Sequence, residues 1–138
     1  MAKIGYTKKL YLQMSGNAYT VLKGETTSSF NLSADMIEVS DKETSWKKYL
    51  AGYKGGTVDA TIYADTEDAA QNAVLKALFE GTEVKCFVGE IGASNTPADG
   101  YAFAALVSSI GETYETGSAI ARNVSLQITG EVTPYPTL

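Results

Sequence analysis

Histidine is absent from the 138 residues. Its absence excludes the commonest general base, the usual zinc ligand, and the Ser-His and Cys-His nucleophile arrangements. Cysteine occurs once, as Cys86, so no internal disulfide is possible. Long apolar runs are missing. The longest, Tyr101–Val107, is far too short to cross a bilayer as a helix. The lysine-containing start, Met1–Met14, lacks the apolar stretch of a secretory signal. Basic charge is scarce: eleven Lys and Arg against sixteen Asp and Glu leave −5. After Glu80 only Lys85 and Arg122 face Glu83, Glu90, Asp99, Glu112, Glu115 and Glu131. A protein that grips nucleic acid carries a basic patch, and none is visible. The mild acidic excess suits solubility.

Phosphate loops, dinucleotide fingerprints, calcium-loop spacings and cysteine pairs are missing as well. Gly52, Gly55 and Gly56 form a glycine-rich stretch, but no helix start follows it to cradle a phosphate. Carboxylates group as Asp41 with Glu43, Asp65 with Glu67 and Asp68, and Glu112 with Glu115. Each group sits beside a turn or a cap, where solvation accounts for it. The expectation is therefore no enzyme, no cofactor and no metal site.

The hydrophobic fraction of 44% and charged fraction of 20% are those of an ordinary globular chain. The length suits a single domain over residues 1–138, large enough to fold without staples. The dominant pattern is apolar–polar alternation, the mark of half-buried strands. Strands are predicted over Lys9–Met14 and Tyr19–Leu22, with a Gly16-Asn17 turn between them. Ser28–Leu32 and Met36–Ser40 read as two strands parted by a loop or bulge. Further strands are predicted over Thr57–Ala64, Glu83–Ile91, Tyr101–Ser109 and Ala119–Val132. Cys86 falls on the apolar side of Val84–Val88 and is expected in the core. One helix is predicted over Thr66–Glu80, capped by Asp65 or Thr66 and stopped by Gly81. Its apolar face is Ala70, Val74, Ala77 and Leu78, widened by Leu75 and Phe79. The fold class is mainly β: an antiparallel sandwich or barrel of about eight strands with one flanking helix.

Asp41–Gly56 breaks the alternation. It is basic, holds Trp46, the chain's single Trp, and reads as a long connection in which Trp46, Tyr49, Leu50 and Tyr53 have the spacing of a turn of helix. Loops of this length are functional or mobile. Nine tyrosines are many for this size. Tyr6, Tyr11, Tyr63, Tyr114 and Tyr135 fall on polar faces or termini, and Tyr with Trp is enriched at interfaces. The strand Ala119–Val132, polar on one face with few charges, is a candidate for joining a neighbouring sheet edge to edge.

The order of these features resembles the major tail tube proteins of long-tailed phages and related gene-transfer particles. The resemblance rests on a series spread over nearly the whole chain. Leu10–Leu22 leads to Ile37-Glu38-Val39-Ser40, the Asp41-Lys42-x-Thr44-Ser45-Trp46-Lys47 loop, and Tyr49-Leu50-Ala51-Gly52. Next come Val58–Tyr63, Asp65 and a helix ending Leu75-x-x-Leu78-Phe79-x-Gly81. Val84–Val88, Gly100-Tyr101-Ala102-Phe103 and Gly130-Glu131-Val132 close the series. A departure is the short C-terminus, without the immunoglobulin-like domain that some relatives carry.

The resemblance implies a virion protein made in the host cytoplasm. It implies hexameric rings stacked into a tube, with each subunit's sheet contributing to a barrel around a lumen. DNA would pass through without specific binding, and the tape-measure and other tail proteins would be partners; no membrane is involved. The inter-subunit loop would be Asp41, Lys42, Glu43, Trp46, Lys47, Lys48 and Tyr49, with Tyr53. Glu38 and Asp59 are candidate lumen-facing acids. Six copies at −5 each would put −30 on a ring, repelling phosphates. The alternatives are a tail terminator, the inner tube of a contractile system, or a carbohydrate-binding β-sandwich using exposed Tyr and Trp.

Overall fold

The computed structural model describes residues 8–13, 18–43, 45–117 and 119–136. Tyr6, Met14 and the Gly16-Asn17 turn lie outside the described residues. The elements in chain order are β1 (Lys9–Gln13), β2 (Tyr19–Val21), β3 (Glu25–Glu38), β4 (Tyr49–Tyr63), α1 (Ala69–Glu80), β5 (Glu83–Ile91), β6 (Pro97–Thr113) and β7 (Ala121–Tyr135). All strand pairs are antiparallel, in one sheet of order β2-β1-β5-β6-β7-β4-β3. The mainly-β expectation with one helix holds. Seven described strands stand where about eight were expected, because Ser28–Leu32 and Met36–Glu38 belong to one strand. A register shift between Ala34 and Met36 marks the irregularity, and such a bulge bends a strand without ending it.

The sheet is open, but its two edges meet at one end. The turn Leu22–Gly24 carries the chain from edge strand β2 directly to the opposite edge, β3. Leu22 N donates to Leu10 O at 2.9 Å, and Tyr63 N donates to Gly24 O at 2.9 Å. The Glu25 carboxylate then accepts from Leu10 N at 2.9 Å, bridging β3 to β1. Gly24 has φ 80°, and a Cβ there would lie 2.9 Å from Tyr63 O, so the turn needs glycine.

The core lies inside the curl. Leu10 and Leu12, Val58 to Ile62 in alternation, Cys86, Phe103 to Val107 in alternation, and Val124, Leu126 and Ile128 all face it. Each large aliphatic side chain buried here stabilises by about 1.5–3 kcal/mol. Cys86 is a core residue, as expected, with burial pushing its thiol up to about 12. The opposite face carries a second, smaller cluster around Phe87, which is fully buried. Tyr11, Tyr19 and Tyr135 surround it, with ring centroids 6.4, 5.8 and 6.0 Å away. Tyr11 and Tyr135, singled out for their place on polar faces or termini, thus flank and help to bury Phe87. Alternation hides this cluster, because both Cys86 and Phe87 are buried on successive positions of β5.

Helix α1 closes the end where the edges meet. Its N-cap is Asp68, later than the expected Asp65 or Thr66: Asp68 Oδ1 accepts from Ala70 N at 3.3 Å, and Oδ2 accepts from Lys23 N at 3.1 Å. Gly81 ends the helix with φ 72°, as expected, and its N–H donates to Ala77 O. Ala70, Val74 and Ala77 reach the core, whereas Phe79 is 80% exposed. At 100° per residue, Phe79 points away from the Ala70–Val74–Ala77 stripe, so the predicted apolar face is narrower than stated.

Between Ala70 and Val74 the helix buries a polar residue, Gln71, at 1% exposure. Gln71 Nε2 donates to Lys23 O and Tyr63 O, each at 2.9 Å. Its Oε1 accepts from Asp65 N at 2.9 Å and from Arg122 Nη1 at 3.2 Å. Arg122, in phase with Val124 and Leu126, is 7% exposed and faces the core side. Its charge is met by Glu112, with Nη2 2.7 Å and Nε 2.9 Å from Glu112 Oε1. Tyr114 Oη donates to the other Glu112 oxygen. These hydrogen bonds, Tyr114's first and then Arg122's, hold the Glu112 carboxyl below the usual carboxylate range.

Replacing Gln71 by Ala orphans two carbonyls, one backbone N–H and part of a guanidinium. The expected loss is about 2–3 kcal/mol in chemical denaturation, against under 1 kcal/mol for an exposed helix position such as Lys76→Ala. The Glu112 contribution has a defined pH window. A lowered folded-state value stabilises above the unfolded value and is lost as pH falls through the folded one. The stability gap between the parent chain and Glu112→Gln should be present at neutral pH and close below the ordinary carboxylate range, as read from unfolding midpoints across pH.

Candidate assembly surface

The sheet is uneven at its β3–β4 side. β4 pairs with β3 along its length but with β7 only over Thr57–Tyr63. Leu32–Glu38 of β3 and Tyr49–Gly56 of β4 therefore form a two-stranded arm that leaves the body. The eight residues of β4 in it extend about 25 Å. Tyr49–Gly56 was expected as part of a long loop with a turn of helix. It is strand, continuous with Thr57–Tyr63. The connection is shorter, residues 39–48, closed by Val39 N donating to Lys48 O at 2.8 Å and Lys48 N to Ser40 Oγ at 2.9 Å.

The reason the strand was missed is also its functional signature. Side chains alternate across a strand, so one face of the arm continues the core side of Val58 and the other continues the side of Asp59. On the first side Leu32 lies opposite Gly56 and, past the bulge where Gly52 and Tyr53 stand against Asp35, Met36 lies opposite Ala51. On the second Tyr53 lines a hollow with Asn31 and Thr57, and beyond the bulge Ile37 lies opposite Leu50. Both faces are apolar, so no two-residue period shows. Leu32, Met36, Ile37, Tyr49 and Leu50 are all exposed, Tyr53 to 90% and Trp46 at the tip to 81%. A two-stranded ribbon is marginal alone in water, and a contiguous exposed apolar patch marks an interaction surface.

The predicted loop residues gather here. Asp41, Lys42, Glu43, Lys47 and Lys48 ring the tip, all exposed, with Asp41 Oδ1 accepting from Glu43 N at 3.0 Å. Tyr49 and Tyr53 lie on the arm itself. Glu38 pairs with Tyr49 at the arm's far end. Asp59 lies ten residues down β4, about 33 Å away, so the two acids are not brought together.

Asp59 belongs instead to a flat polar face of the body. Ser29, Asp59 and Ser125 sit side by side on β3, β4 and β7, flanked by Thr27–Thr61–Asn123 and Asn31–Thr57–Gln127. The rows are tied across strands: Ser125 Oγ donates to Asp59 Oδ1 at 2.7 Å, Thr61 Oγ1 to Asn123 Oδ1 at 2.9 Å, and Gln127 Nε2 to Gly56 O at 2.9 Å. Asp59 is the single ionisable group of these nine residues, and none is basic.

The free edges are asymmetric. On β2 the Asn95 side chain imitates a strand partner: its Oδ1 accepts from Tyr19 N at 2.6 Å, and its Nδ2 donates to Tyr19 O at 3.0 Å. On the other side β3 is a long edge, and β7 from Ile128 onward pairs with β6 alone. The expectation that Ala119–Val132 offers an edge holds only for this last part. Ala121–Gln127 is interior, covered by β4. Sequence reading missed Gln71 and Arg122; the available signals were a polar residue within an apolar helical stripe and a cation in phase with Val124 and Leu126.

The body thus has one short edge where Asn95 pairs with Tyr19, one long free edge on β3, and an arm apolar on both faces. The chain belongs to the phage tail tube protein family, whose sequence pattern it matches over residues 5–134. Among solved structures it is similar to a chain in the tail of an empty gene transfer agent particle refined with C6 symmetry. That match has a TM-score of 0.81 and 16% identity, covering 96% of this chain and 98% of the other. It is also similar to the SPP1 tail tube protein, with a TM-score of 0.76 and 20% identity over 98% of this chain and 80% of the other. A chain of an extracellular contractile injection system's sheath–tube complex follows at TM-score 0.62 and 10% identity, over 90% of this chain and 86% of the other. No curated protein matches the sequence.

Proposed function

We propose that this chain is the repeating subunit of a tail tube: copies close into hexameric rings, and the rings stack into a conduit through which DNA reaches the host. The observation that carries the reading is the arm, a ribbon apolar on both faces that a solitary molecule leaves in water. Covering it with further copies removes that cost. Six-fold closure follows the symmetry of the similar gene transfer agent tail. The role is structural and non-enzymatic, and the tape-measure protein within the lumen is the natural partner. The protein is made in the host cytoplasm and works in the virion.

The inter-subunit contacts are assigned to the arm and its tip: Asp41, Lys42, Glu43, Trp46, Lys47, Lys48, Tyr49 and Tyr53. The polar face around Asp59 is assigned to the lumen. Ser125, Thr61 and Gln127 donate across strands there, and the face carries a carboxylate but no cation, so phosphates meet repulsion and no anchoring charge. Glu38, paired with Tyr49, adds a second acid at the far end of the arm.

Concentrated parent protein should form rings and tubes in negative stain. Trp46→Ala should remain a folded monomer with an unchanged far-ultraviolet spectrum and unfolding midpoint, because the indole is outside the core, yet fail to polymerise. Normal tube yield from that variant would remove the arm tip from the interface. For the lumen, Asp59→Lys combined with Glu38→Lys should still assemble but slow DNA ejection from particles several-fold; unchanged ejection kinetics would reassign the polar face.

A further inference from the structure

The tip of the arm has a complementary receptor on the same chain, placed where that chain cannot use it. Where β4 parts from β7 an open trough of about 610 Å³ forms at the base of the arm. Leu32, Ala34, Ile128 and Val132 line it with apolar surface, and Lys54 and Glu131 stand on its wall. The tip presents one large aromatic, Trp46, with Lys47 and Lys48 following it and Asp41 and Glu43 preceding it. Trough and tip are therefore matched in kind: an apolar hollow with one charge of each sign, and an apolar knob flanked by both signs. They lie about 25 Å apart along a paired ribbon, which forbids contact within one molecule.

Resting on the tube reading above, we infer that the Trp46 tip of one copy seats in the Leu32–Ile128–Val132 trough of a second copy. Lys47 and Lys48 then approach Glu131, and Asp41 and Glu43 approach Lys54. The contact is head-to-tail, using different surfaces on the two partners, so it repeats from copy to copy instead of ending at a dimer. A buried Trp surrounded by a polar rim is the usual form of an interface hot spot. The same contact covers Leu32, one of the exposed aliphatic residues on the arm.

Trp46 is the chain's single Trp and Cys86 its single, buried Cys, so both probes are clean. Trp46 emission and acrylamide quenching are measured in dilute monomer and in assembled tubes. In parallel, Ser45→Cys and Ser33→Cys chains, one beside Trp46 and one lining the trough, are mixed, assembled and treated with a short bis-maleimide. The expected result is a blue shift with several-fold weaker quenching on assembly, and a crosslinked dimer that forms in the mixture but not in either variant alone. Tubes that form while Trp46 stays as quenchable as in the monomer, or while the mixed pair does not crosslink, would overturn the trough contact and leave the tube reading intact. Failure of the parent chain to assemble at all would overturn both. Reversal of Lys54 to Glu should weaken assembly and be rescued by Glu43→Lys; equal weakening by both, without rescue, also counts against the contact.

Discussion

The curl of the sheet depends on closing one end, and that closure runs through a buried amide. Gln71 projects from α1 and bonds the β2–β3 turn at Lys23, the end of β4 at Tyr63, the loop at Asp65 and β7 at Arg122. Four separate stretches of chain are held by one side chain that has no water to fall back on. Buried polar groups of this kind are costly when half-satisfied and specifying when complete, because alternative packings leave them unpaired. Asp68 repeats the arrangement on a smaller scale, capping the helix and accepting from Lys23 N. With the turn anchored, β3 meets β1 through Glu25, and the main apolar side of the body is turned inward.

The opposite end follows from the same geometry. Strands β3 and β4 are too long for a body closed at the Glu25 end, so their far halves run past the last β7 pairing at Gln127. There they lose a third strand and leave apolar side chains exposed on both faces. The buried polar network lies at the helix-capped end and the exposed apolar surface at the arm, so a change in the arm leaves the core contacts intact. The polar face between them is inert in a useful sense. Ser125, Thr61 and Gln127 are engaged in cross-strand bonds, and its one carboxylate is held by Ser125.

Much of this was legible in the sequence, and the exceptions share a cause. Strands with one wet and one dry face, such as Val58–Ile62 and Val124–Ile128, announced themselves by alternation. The tip residues Asp41–Lys48 and Trp46 were picked out by composition. Tyr49–Gly56 was misread as loop because a ribbon apolar on both sides has no two-residue period, and three glycines read as turn. Phe87 and Cys86 were both buried for a related reason: β5 packs on two faces at that point. Glu38 and Asp59 were grouped as acids on polar faces, yet the ladder separates them by the length of the arm.

The sequence by itself determined the class of structure, the absence of histidine- or disulfide-based chemistry, the position of the helix and the inward side of most strands. Those depend on local periodicity and residue type, which the chain carries residue by residue. Only the tertiary structure decided that Gln71 and Arg122 are core groups, that Tyr11 and Tyr135 bury Phe87, and that the trough lies at the base of the arm. Each of these depends on which strands are neighbours in the order β2-β1-β5-β6-β7-β4-β3. Residues 71 and 122, or 32 and 132, are remote along the chain and meet only after the sheet has curled.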